Sequence, residues 1–135
     1  MPVSFDNIVK GREYSRNTLA EIWGYSGYQA LARGVVTPRA DNKVILFVTE
    51  HKQDSSEQFA DRLDGKLLNW EGPNDHFAEK RIIRASTSGD QIHLFYRVRH
   101  HMDFTYLGRL VLLTQVLHTS KPSIFTFRVT RAQSR

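Results

Sequence analysis

Two hydrophobic periodicities divide the chain, a helical one near the N-terminus and a strand-like one from residue 43 onward. Ser15 precedes "RNTLAEIWG", where Leu19, Ile22 and Trp23 share one stripe and Gly24 stops the pattern, so the spacing predicts an N-capped helix. "SGYQALARG" places Tyr28, Leu31 and Ala32 at helical spacing; Gly34 ends this second helix and Pro38 prevents its continuation. Two short helices about a glycine-containing turn match the outline of a helix-turn-helix, but the second is very short and carries a single Arg, which disfavours a recognition role.

Val44 to Thr49 is a near-continuous β-branched and aromatic run, the pattern of a buried central strand. "DSSEQFADRLDG" is polar, a loop or a weak helix, and "KLLNWEG" reads as a short strand ending at Gly72-Pro73. "RIIRAS", the turn "TSGD" and "QIHLFYRVR" read as a hairpin with Ile92, Leu94, Tyr96 and Val98 on one face and His93, Phe95, Arg97 and Arg99 on the other. "FTYLGRLVLLTQVLHT" is long for a strand and Gly108 is its bending point, while "SIFTFRVTR" alternates again. The pattern predicts a single α+β domain over residues 1–135, with short N-terminal helices and about five antiparallel strands curving into a barrel or half-barrel with a cleft at one rim.

Composition narrows the function classes. With 40% apolar and 24% charged residues the chain is neither disordered nor membrane-spanning, since no uninterrupted apolar run is long enough to cross a bilayer. Cysteine is absent, which excludes disulfides and thiolate chemistry and leaves His, Asp and Glu for any zinc site. The N-terminal "MPVSFDNIVKG" lacks the basic-then-apolar layout of a secretory signal, so the expected location is the cytoplasm. A net charge of +5 is compatible with a polyanionic partner, and Arg81, Arg84, Arg97, Arg99, Arg109, Arg128, Arg131 and Arg135 concentrate it in the C-terminal half.

The ordered blocks "YSRNTLAEIWGY", "RGVVTP", "ILFVTEHKQ", "LLNWEGPNDHF", "IHLFYRVRHHMDFTYLGRL" and "KPSIFTFRV" carry a resemblance over most of the chain. The sequence resembles the small SRA-like (SET and RING-associated) domain of the PUA-like superfamily, found at the C-terminus of helicase-type modification-dependent restriction proteins and beside nuclease domains. The resemblance implies a curved sheet that holds a flipped base, and recognition of modified double-stranded DNA in a restriction or defence setting. No helicase motif or recognisable nuclease domain accompanies the module in this sequence, so cleavage or translocation is expected to fall to a partner protein, unless the chain is a fragment of a larger one.

"NWEGPNDHF" then becomes the first candidate site. A reader of one base must remove it from the stack, at a cost of a few kcal/mol, and needs an aromatic surface and an acceptor for the exocyclic amine. Trp70 is the candidate plate, where base contact is worth roughly 1–3 kcal/mol. Asp75 is the candidate acceptor for a modified cytosine, Tyr96 the opposite face, and Glu71 and His76 flank them. Trp70 and Tyr96 equally suit core packing, and Asp75 equally suits a cap of "HFAEKR"; only their joint arrangement would make a pocket.

"RHHMDFTY" is the second. Adjacent histidines on an extended chain point to opposite sides, which disfavours metal binding by His100, His101 and Asp103. His100, His101 and Phe104 instead suit insertion beside a flipped base, with Arg33, Arg39, Lys43, Lys52, Arg97, Arg99 and Arg109 as candidate phosphate contacts. Two alternatives stay open. Asp41 with Glu50-His51-Lys52 superficially matches a Mg²⁺-nuclease site, although the spacing is short. A protein-interaction adaptor that docks a helicase or nuclease subunit is the other. No serine elbow, phosphate-cradling glycine loop or cysteine nucleophile is present, so the expected activity is binding without catalysis or cofactor.

Overall fold

The computed structural model describes residues 3–51 and 61–130. β1 (Glu13–Tyr14) leads into α1 (Arg16–Trp23), which Ser15 caps by accepting from the Thr18 amide at 3.0 Å and Gly24 ends in the left-handed conformation. The expected second helix is one 3-10 turn, Tyr28–Leu31, and so short a segment cannot serve as a recognition helix. β2 (Val35–Val36), β3 (Lys43–His51), β4 (Arg62–Asp64) and β5 (Leu67–Glu71) follow. After α2 (Glu79–Ser88) the chain ends in β6 (Gln91–Arg99), β7 (Phe104–Val116) and β8 (Ile124–Val129).

The α+β class holds, but the sheet differs from the expected one. Among the described residues it has eight strands, in the order β2-β3-β6-β7-β8-β5-β4 with β1 paired to β7, and their hydrogen bonds do not close it into a barrel. Nor is it all antiparallel: β3 and β6 run parallel, from Lys43 beside Gln91 to His51 beside Arg99. Parallel neighbours need a long crossover. Here β4, β5 and α2 supply it, and α2 is the segment "RIIRAS" that the pattern assigns to a strand. Ile82 and Ala85, three apart, bury one helical face, and Gly89 stops the helix in the left-handed conformation.

β3 is buried on both faces, which explains its unbroken apolar run. Ile45 and Phe47 join Leu19, Trp23, Phe95 and Phe104 in a core beneath α1, whereas Val44, Leu46 and Val48 join Leu68, Ile92, Leu94, Phe125, Phe127 and Ile82 on the opposite face. Gly108 bends β7 as expected: Leu94 faces Gly108 and Phe95 faces Tyr106, so Leu107 is an inserted residue, and Gly108 takes φ 100°. Among the described residues no helix is long and apolar enough to cross a membrane.

Candidate nucleic-acid interface

Parallel register carries the C-terminal ends of β3 and β6 to the same place, with Thr49 beside Arg97 and His51 beside Arg99. Each face of the sheet presents a different chemistry there. On one face Tyr96 lies beside Val48, and its hydroxyl donates to the Glu50 carboxylate. Burial and then this carboxylate push the Tyr96 phenol well up, so it stays a neutral donor.

The other face carries two arginines over aromatic rings. The Arg97 guanidinium lies 4.2 Å from the Phe104 centroid, and Arg16 lies 4.9 Å from Phe104 and 4.7 Å from Phe47. Arg97 Nε donates to Thr49 Oγ1 at 2.7 Å and Nη1 to the Met102 carbonyl at 3.0 Å. Arg16 Nε donates to the Leu31 carbonyl at 2.5 Å and Nη2 to that of Arg33 at 3.4 Å. Both thus hold neutral partners, and among the described residues neither forms an ion pair. Burial and then the charge of Arg97 bring Arg16 down to about 10. The pair borders an open cleft of about 470 Å³.

The turn between β6 and β7 forms one wall of that cleft. Met102 N donates to the Arg99 carbonyl at 3.3 Å and His101 takes φ 79°, so the imidazoles of His100 and His101 meet edge to face at 4.2 Å. The expectation that they point apart assumed an extended chain, and the turn overrides it. Burial, then His101, Arg97 and Arg16, lower the His100 pKa. Arg97, Arg99, His100, His101 and Phe104 therefore do come together.

The "NWEGPNDHF" segment does not build the expected pocket around its indole. Trp70 is 4% exposed and packs against Phe125 and Phe127, with ring centroids 5.6 and 6.1 Å away. Alternation along β5 places it inside with Leu68, so Trp70 is a core residue and offers no free face to a base. Glu71 follows it at the strand end, half-buried, its amide donating to Asp61 Oδ1 at 2.8 Å. Asp75 does not cap α2, whose N-cap is Ala78 without a side-chain bond. Its Oδ1 accepts from the Phe77 amide at 3.1 Å, and Arg33 Nη2 donates to both oxygens at 3.1 and 3.2 Å while lying over Phe77 at 4.6 Å. The Phe77 amide first and then Arg33 hold this carboxylate below its ordinary value. His76 Nδ1 lies 2.5 Å from Glu79 Oε2, which raises the imidazole pKa.

Three expected phosphate contacts lie elsewhere. Lys43 begins β3, roughly 26 Å of strand from its far end, and is paired with Asp41 at 3.1 Å. Arg39 precedes that same end, and Arg109 faces His93 on the body of the sheet. Lys52 falls outside the described residues. Asp41 and Glu50 sit near opposite ends of β3, roughly 30 Å apart, so they cannot hold one metal, which corrects the nuclease reading. Among the described residues no group of three His, Asp or Glu is placed to hold a metal ion.

Arg16 and Glu50 are the residues that the pattern underrated. A basic residue in the first turn of a helix opposes the macrodipole, and that local conflict was the available signal for Arg16.

No family model matches the sequence, and no curated protein does. Solved structures do match. The SUVH5 SRA domain with hemimethylated CG DNA aligns at TM-score 0.65 and 12% identity, covering 98% of this chain and 96% of that one. The same domain with fully methylated CG DNA aligns at TM-score 0.65 and 13% identity, and with methylated CHH DNA at 0.61 and 10%. At this identity the likeness shows the fold, and the chain has the SRA fold.

Proposed function

We propose that this SRA-fold chain binds double-stranded DNA and inspects a modified base, a flipped cytosine, without carrying out chemistry on it. The observation that supports this most is the fold, shared over nearly the whole chain with domains solved on methylated DNA. Tyr96 and Glu50 take the roles that the buried Trp70 cannot: the half-buried phenol ring is the flat surface, and the carboxylate it orients accepts from the exocyclic amine. Asp75, Glu71 and His76 remain candidate rim groups, and Arg33, Arg97, Arg99, His100 and His101 candidate backbone contacts. The setting we infer is restriction or defence, with a helicase or nuclease as the partner.

A binding comparison across unmodified, methylated, hydroxymethylated and phosphorothioate duplexes tests this reading. Equal affinity for all four refutes base inspection, and no binding at low salt refutes DNA recognition.

One observation favours the adaptor reading in addition. β7 exposes Val111, Leu113 and Val116, and Leu117 beyond it, an apolar stripe suited to a protein partner. An adaptor without DNA function would show no gel shift with any duplex.

A further inference from the structure

Arg16 and Arg97 are expensive neighbours. Two like charges approach one aromatic ring, among the described residues neither forms an ion pair, although Asp103 lies near enough to act on Arg97 by its charge, and the pair opens onto a cleft with room for more than water. The rings and carbonyls around them hold both side chains in place, and a bound anion would offset their mutual repulsion. Ser15 and Asn17, at the N-terminus of α1, form part of the same wall. The amides of Arg16 and Asn17 belong to the first turn, where helical partners are lacking, and they add donors. Tyr28, 46% exposed, flanks the opening with an aromatic face.

We propose that this cleft seats one phosphodiester of a bound DNA strand, held by Arg16 and Arg97, with the attached nucleotide lying along Tyr28. The assignment rests on the DNA-binding reading and adds a residue, Arg16, on the face of the sheet opposite Tyr96 and Glu50. Stacking on Phe104 holds the guanidinium planes in place, so their outer N–H groups are oriented before the anion arrives. Asp103 also lines the cleft; burial lowers the Arg97 pKa and the Asp103 charge works against that lowering, so this carboxylate opposes an incoming phosphate. That opposition provides an independent test.

The test uses the full chain and labelled unmodified and methylated duplexes over a salt series, with Arg97→Gln and Asp103→Asn. Arg97→Gln is expected to weaken binding to both duplexes alike and to make the slope of log K against log salt shallower by about 0.9, the release associated with one phosphate. Asp103→Asn, which removes no positive charge, is expected to tighten both alike. Unchanged affinity and slope in Arg97→Gln overturn the proposal, as does unchanged or weaker binding by Asp103→Asn. Loss of the methylated-to-unmodified ratio alone also overturns it, because the cleft would then be reading the base. If the wild type binds no duplex, the DNA reading falls and inorganic phosphate becomes the probe. Shifts of the Arg16 and Asn17 amide resonances would then keep an anion site, and their absence would remove it.

Discussion

Replacing Trp70 by Ala separates a core indole from a base-stacking one. The side chain is 4% exposed and fills the space between Phe125 and Phe127, next to Gly72, where even an added Cβ would lie 3.4 Å from the Phe125 ring. Truncating so large a side chain in a packed interior costs about 3–5 kcal/mol, from lost transfer energy and from the cavity left behind. A domain of this size holds only about 5–15 kcal/mol in total, so the variant should stand near the edge of folding. With a urea dependence of about 2 kcal/mol per molar, the unfolding midpoint should fall by about 2 M. Urea titration followed by the fluorescence of Trp23, itself buried, reads this directly. In DNA binding, Trp70→Ala should lose affinity for every duplex in proportion to its unfolded fraction. A variant with an unchanged midpoint that binds unmodified DNA normally yet no longer discriminates would refute the core assignment.

Tyr96→Phe removes the donor to Glu50, and it is expected to cost about 1 kcal/mol of stability. Its larger effect should be a reduced preference for the modified duplex, and a preference kept intact would exclude the Tyr96 and Glu50 pair from base reading. His93 is buried beside Phe5 and Tyr106, and burial first, then Arg109 and Lys43, bring its pKa down to about 3. Its folded value lies below the unfolded value of about 6.5, so below that pH only the unfolded chain takes up the proton, and stability falls as pH falls. His76 shifts the opposite way, so the comparison must be between variants: His93→Gln should flatten the loss between pH 6.5 and 4 by up to about 1.4 kcal/mol per pH unit. Matching profiles would show that His93 titrates normally. Gly108→Val forces a β-branched residue to φ 100° and should lower stability by more than about 1 kcal/mol, measured by thermal unfolding; an unaltered midpoint would mean that the bulge relaxes.

The long strands were legible because their patterns are local. β3 announces burial on both faces by its unbroken apolar run, and β8 alternates through Phe125 and Phe127. Ser15 and Gly24 bracket α1 by side-chain and backbone chemistry that needs no tertiary context. α2 was not legible: its one buried face rests on Ile82 and Ala85, and the adjacent isoleucines imitate a strand. β1, β2 and β4 have two or three residues, too few to show any period. Parallel pairing of β3 with β6 leaves no trace in either strand alone. In the candidate site, the cluster around Arg97 was readable as a basic turn, whereas Arg16 reaches it only through the packing of α1. Trp70 misled because its chemistry drew more weight than its place in the alternation with Leu68, which already pointed inward.

The adjacency of β3 and β6 also sets a timetable. β3 is made early, yet the neighbour on which most of its backbone pairing depends emerges from the ribosome about fifty residues later. In the interval the apolar run Val44–Val48 has, among the described residues, the short β2 and the Gly34 carbonyl to shield one flank. A nascent chain of this design must keep that strand from finding another copy of itself, and its assembly is delayed until the last third has been synthesised.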